Sequence, residues 1–133
     1  MSKVDEPLQI CLACFHLIPA HEQVCSQCGA DLVAHSAQSY RAKLKLALLH
    51  PLADVRMRAI IALGWRAESE TADDLVACAL RHPSDVVEGL EIVNCLVQIG
   101  NAEVRRIALS DLQARHAAHA VREGAAAALA ALR

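Results

Sequence analysis

Two Cys-x2-Cys pairs, an alanine-rich composition almost free of aromatics, and a hydrophobic pattern recurring about every 33 residues predict a mostly α-helical chain with a small metal-organised front end. Cys11-Leu-Ala-Cys14 and, ten residues on, Cys25-Ser-Gln-Cys28 supply four thiolates, a complete tetrahedral set with no position left for water or substrate. Of 133 residues, 55% are apolar but only 2% aromatic, because alanine alone accounts for 26. Alanine is the best helix former and lets helices approach closely, whereas a sheet protein needs more aromatic and β-branched side chains. The expected organisation is a flexible N-terminus over 1–9, a metal-bound segment over 10–32, a linker over 33–39 and helices over 40–133, the last divided near 40–66, 69–100 and 101–133.

A segment as short as 10–32 buries too little apolar surface to fold alone, so the ion has to stand in for a core. Gly29, just after the second pair, can take the left-handed backbone that such a knuckle needs. The runs Cys11-x-x-Cys14-Phe15-His16-Leu17-Ile18-Pro19-Ala20 and Val24-Cys25-x-x-Cys28-Gly29-Ala30-Asp31-Leu32 resemble the four-cysteine zinc-ribbon modules found at the N-termini of prokaryotic proteins. That resemblance implies β-hairpin knuckles around a structural Zn2+ ion held by Cys11, Cys14, Cys25 and Cys28. Phe15 departs from it, standing where the family has glycine. Iron held as in a rubredoxin is the alternative, although rubredoxins surround the metal with aromatics and only Phe15 is present here. His16 and His21 are spare ligands that a closed four-sulfur site does not need.

Beyond residue 39 the apolar period becomes helical. Tyr40, Leu44, Ala47 and Leu48 share a face, and His50-Pro51 stops that helix. Asp54 is a suitable N-cap for a second helix striped by Val55, Ala59, Ala62 and Leu63 and ending around Gly64 to Arg66. A third helix, capped by Ser69 or Thr71, carries Ala72, Leu75, Val76, Ala79 and Leu80 and ends at Arg81-His82-Pro83. Ser84 or Asp85 opens the fourth, with Glu88 spaced from Asp85 as a capping box and Gly100 closing. The fifth starts at Asn101 and breaks around His116 to His119, and the sixth carries Val121, Ala125, Ala128, Leu129 and Leu132.

The repeat is explicit. Val55-Arg56-x-x-Ala59-x-x-Ala62-Leu63 recurs as Val121-Arg122-x-x-Ala125-x-x-Ala128-Leu129, and His82-Pro83 echoes His50-Pro51. These residues resemble short bacterial HEAT-like repeats, in which a proline turn, an aspartate and Val-Arg precede an Ala-Leu-Gly run. The resemblance implies a three-hairpin α-solenoid, each hairpin burying its apolar face on its neighbours. The second unit departs from it with Val87 at the arginine position, and the third with Ala120 before Val121. Asp54 with Arg56, or Asp85 with Arg122, either bridge turns or remain solvated charges. His50, His82 and His116 fall at matching turns, which points to a structural role at helix ends; His116 and His119 could otherwise pair on a metal.

Function is bounded more than named. A net charge of −2 provides no general basic field, and residues 1–36 hold one lysine against four carboxylates. The residues Met1 to Pro7 contain no apolar signal core and no stretch reaches membrane-spanning length, which predicts a cytoplasmic chain. Cys78 and Cys95 read as small buried hydrophobes, and Trp65 as a plug between hairpins or a contact anchor. No Ser-His-Asp set, phosphate loop, acid pair or small-molecule substrate site is evident, and the His-Glu pairs of the HEAT-like hydroxylases are missing. The expected function is a non-catalytic protein-binding adaptor, small subunit or assembly factor of a larger complex, whose alanine-rich last helix leaves an end for another chain. Nucleic-acid binding through Arg56, Arg58, Arg105 and Arg106 is the alternative, and rubredoxin-like electron transfer a further one.

Overall fold

The computed structural model describes residues 7–11, 13–32 and 37–132. Among these, the elements are two short strands, β1 (Leu8–Ile10) and β2 (Leu17–Pro19), and six α-helices: α1 (Ala37–Ala47), α2 (Ala53–Arg66), α3 (Ala72–Arg81), α4 (Val86–Val97), α5 (Ala102–Arg115) and α6 (His119–Ala131). The chain is therefore mostly helical with one small antiparallel hairpin. It divides into two compact units, Met1–Arg66 and Ala67–Arg133.

In the first unit β1 pairs with β2 in the register Leu8 to Pro19, Gln9 to Ile18 and Ile10 to Leu17. The hairpin begins at Leu8, within the stretch expected to be flexible; residues 1–6 of that stretch and 33–36 of the linker lie outside the described residues. α1 starts at Ala37, three residues ahead of Tyr40, and packs on α2. Leu44, Leu48, Ala59, Ile60, Ala62 and Leu63 are buried, the inward stripes that the helical period demands. The hairpin does not stand apart from these helices, for β1 lies against α2. Tyr40 Oη accepts from Ile10 N at 2.5 Å and donates to Ile10 O at 2.9 Å, while Arg58 Nη1 donates to Phe15 O at 2.9 Å.

The Tyr40 contact carries a prediction. Burial pushes the phenol up to about 12, against the lowering effect of the Ile10 backbone and Arg66. A folded value above the ordinary one favours the protonated phenol, so this stabilisation is complete below pH about 10 and disappears as pH rises towards 12. Tyr40→Phe removes the same bonds at neutral pH and should cost about 1 kcal/mol in a denaturant titration. The variant should also lack the wild type's loss of stability in that alkaline window.

In the second unit α3 packs on α4 and α5, and α6 packs on α4 and α5. Leu75, Ile92, Leu96, Ile99, Leu109 and Leu112 form the large buried side chains. Asn101 caps α5 as expected, its Oδ1 accepting from Glu103 N and Val104 N, both at 3.1 Å. Asp85 caps α4 by accepting from Glu88 N at 3.0 Å. Two expected caps are corrected. Arg56 N bonds Leu52 O, so the cap position is Leu52, two residues ahead of Asp54, and Asp54 sits inside the first turn of α2. Thr71 precedes α3, but its hydroxyl donates back to Glu68 O and caps nothing.

The turns joining α1 to α2 and α5 to α6 share one chemistry. His50 Nδ1 accepts from Leu52 N at 3.1 Å, and His116 Nδ1 accepts from Ala118 N at 3.0 Å. Arg56 Nη1 then donates to His50 O and Pro51 O, as Arg122 Nη1 does to His116 O and Ala117 O. The Val-Arg arginines thus tie down the orphan carbonyls where the preceding helix ends. Arg56 is only 5% exposed, so it is not the solvated charge that one reading of the sequence allowed.

Candidate metal centre

The two cysteine pairs fold into two copies of one local structure. In the first, Phe15 N donates to Cys11 O and Cys11 N to His16 O; in the second, Gly29 N donates to Cys25 O and Cys25 N to Ala30 O. Each knuckle needs a left-handed residue directly after its second cysteine, and both have one: Phe15 at φ 62° and Gly29 at φ 79°. Glycine takes that conformation freely, whereas in phenylalanine it costs about 1–2 kcal/mol. The Phe15 ring is held in place, 6.1 Å from the His50 ring, and its carbonyl is held by Arg58. The sequence departure at Phe15 leaves the turn intact.

The knuckles bring all four sulfurs within 4.8 Å of one another. Cys11 Sγ lies 3.6 Å from Cys28 Sγ, and Cys14 Sγ lies 3.7 Å from Cys25 Sγ. A tetrahedral ion with metal–sulfur bonds of about 2.3 Å places its sulfurs about 3.8 Å apart. Both of these cross-knuckle distances already lie close to that value, so the cage fits such an ion. Cys11 and Cys25 are buried beside Ile18, with Cys14, Ala30 and Leu32 packed around them. An apolar cluster of this size is too small to order the hairpin.

Proton loss is arranged unevenly across the cage. Burial raises the Cys25 thiol, but the amides of Cys28 and Gln27 and the neighbouring sulfurs outweigh it and bring the group down to about 7. At Cys28 the Ala30 amide lowers the value, yet burial and the other three cysteines push it up to about 12. Cys14 also ends raised: the His16 amide lowers it, and burial with Cys11 and Cys25 outweighs that. One thiolate forms readily, and further negative charge then requires a cation at the centre. A metal cation held by the four sulfurs would supply that charge.

His16 belongs to this site in a different way from a ligand. Its Nδ1 lies 3.2 Å from Cys14 Sγ, as a hydrogen-bond partner outside the sulfur set. His21 is not part of the metal-competent group. The supports that spacing alone does not reveal are Gln9, Tyr40 and Arg58. Gln9 Nε2 donates to Pro19 O, Ala20 O and Glu22 O at 3.1–3.3 Å, pinning the loop between the knuckles. Gln9 sits in a strand and aims at a loop, a relation that only the pairing register exposes.

No protein-family model, curated protein or solved structure matches the chain. Among the described residues, no helix is long and apolar enough to cross a membrane.

Proposed function

We propose that this chain is a non-catalytic adaptor or small subunit that binds another protein, with a structural zinc ion in the four-sulfur cage and, after it in sequence, three HEAT-like helical hairpins. The observation that carries the reading is a run of exposed leucines between residues 46 and 52: Leu46, Leu49 and Leu52 are 66%, 59% and 61% exposed. Leu46 lines a shallow groove with Phe15, Lys43, Ala47 and His50. Large apolar side chains grouped this way are a feature of recognition surfaces, and full burial of one leucine is worth about 1.5–3 kcal/mol. A four-sulfur cage offers no open coordination position for chemistry. The HEAT-like reading draws support from the turn apparatus shared by His50 with Arg56 and His116 with Arg122, and from the pairing of α3 with α5 and α4 with α6.

The arginines weigh against the nucleic-acid alternative. Arg56 and Arg105 donate to backbone carbonyls, Arg58 holds Phe15 O, and Arg106 pairs with Glu103. Phosphate binding needs clustered cations able to turn outward. In the test, tagged chain is purified from its native cells beside a Leu46→Asp/Leu49→Asp variant. A stoichiometric partner should accompany the wild type and be lost from the variant, whose helix content and metal content stay unchanged. A partner retained by the variant, or nucleic-acid binding with a steep salt dependence, would contradict the reading.

A further inference from the structure

We infer that the second unit holds another metal site, built from Cys78, His82 and Glu88 and suited to a thiophilic divalent cation of the zinc class. Cys78 and His82 are four residues apart at the end of α3 and so share a face, and the turn at Pro83 brings the first turn of α4 back over them. Cys78 Sγ lies 3.0 Å from Glu88 Oε1, and His82 Nδ1 lies 3.0 Å from the same oxygen. All three ligand atoms fall within 4.8 Å of one another.

The surroundings of His82 differ from those of the histidines at the other two turns. There, His50 and His116 use Nδ1 to accept from the backbone amide two residues ahead. His82 does not: its Nδ1 faces Glu88 Oε1 and Cys78 O. Six residues after His50 and His116 stand Arg56 and Arg122, which tie down the turn carbonyls. Six residues after His82, and one past the motif position that Val87 occupies, stands Glu88, a carboxylate only 1% exposed. Four residues before the histidine, the other two turns have Leu46 and Leu112, and this one has Cys78. A thiol, an imidazole and a buried carboxylate therefore converge on one point at this turn, a set that the turns at His50 and His116 do not bring together among the described residues.

The chemistry of the set favours a dication. A thiolate and a carboxylate are both expensive to bury as anions, and a soft–borderline cation bound by sulfur, nitrogen and oxygen neutralises both. Metal–ligand bonds of about 2.0 Å to nitrogen and oxygen and 2.3 Å to sulfur set unlike ligands about 3.3–3.5 Å apart. Glu88 therefore withdraws by a few tenths of an ångström as metal bonds replace its hydrogen bonds. The Cys78 thiol proton leaves to solvent; Nδ1, which donates to the Cys78 carbonyl and the Glu88 carboxylate, gives up its proton to solvent as well, and the imidazole that binds through Nδ1 carries its proton on Nε2. Cys78 is fully buried, but the His82 side chain is 27% exposed and marks the entry path. Three protein ligands leave a fourth position for water, so this ion exchanges more readily than one enclosed by four sulfurs.

The test uses the full chain under reducing, anaerobic conditions, with one equivalent of zinc already in the four-cysteine cage, titrated with Co2+ and read by native mass spectrometry and visible absorption. The wild type should take up a second ion and show a thiolate-to-cobalt band. Cys78→Ser and Glu88→Gln should abolish that uptake, and His82→Gln should weaken it by more than about tenfold, the loss that even an outer-sphere partner can cause. All three variants should keep the first ion. Because His82 is partly exposed, His82→Gln preserves the fold and decides the matter if the buried variants do not fold. A single ion per wild-type chain at saturation, or equal uptake by the wild type and His82→Gln, would show that the trio only satisfies a buried carboxylate.

Discussion

Cys25→Ser should cost the chain its metal and, with it, the order of the whole hairpin segment from Leu8 to Leu32. Three sulfurs cannot close the cage, and the apolar cluster of Cys11, Ile18 and Cys25 cannot replace it. In small metal modules the apparent binding free energy, about 10–16 kcal/mol for structural zinc at neutral pH, is the folding free energy. The loss should also spread to the helices that lean on the hairpin. Tyr40 bonds Ile10, Arg58 bonds Phe15, and β1 lies against α2, so each of those contacts goes when the knuckles open. Hydrogen exchange should show amides of β1, β2 and both knuckles unprotected, with weakened protection along α1 and α2. Unchanged protection over residues 8–32 would mean that the segment folds without its ion.

Gly89→Val should have the largest effect within the second unit. A Cβ at Gly89 would lie 2.6 Å from Val121 Cγ2, 3.3 Å from Val121 Cγ1 and 3.4 Å from His116 Nε2. Val121 and His116 are both buried, so neither can swing away. The glycine is the close-approach point between α4 and α6, and any side chain there forces the two helices apart. Overpacking of this kind costs about 1–3 kcal/mol, and valine recovers little through helix propensity. For a unit of this size that is a fall of roughly 5–20 °C in Tm. Val121→Ala makes room, so the double variant should be more stable than Gly89→Val alone; additive losses would show that the two positions do not meet.

The four-cysteine cage was legible because ligand spacing is a local property, and two residues between sulfurs suffice to turn them on one ion. Asn101 and Asp85 were legible at helix starts for the same reason. The start of α2 was not, because the residue at its cap position is Leu52, whose side chain has no acceptor to mark a helix start. Arg56 read equally well as a bridge to an acid or as a solvated charge, and its bonds to the His50 and Pro51 carbonyls depend on how tightly the turn doubles back. Cys78 and Cys95 are both buried, as their helical, apolar neighbours in sequence imply, and burial holds the Cys95 thiol up at about 12. What separates Cys78 from Cys95 was not legible, for it is Glu88, ten residues on and brought to the sulfur by the Pro83 turn. The sequence signal lay in the failure of the second helix pair to repeat the arginine of the other two.

Whether four sulfurs around an ion fold the front of the chain is tested most directly by a cobalt titration of metal-free chain, following visible absorption and backbone amide spectra of residues 8–32 together. Tetrahedral four-thiolate cobalt bands should grow in step with the appearance of dispersed amide signals, and neither change should occur in Cys14→Ser. Dispersed signals before any metal is added, or cobalt bands with fewer than four thiolates at residues 11, 14, 25 and 28, would contradict it.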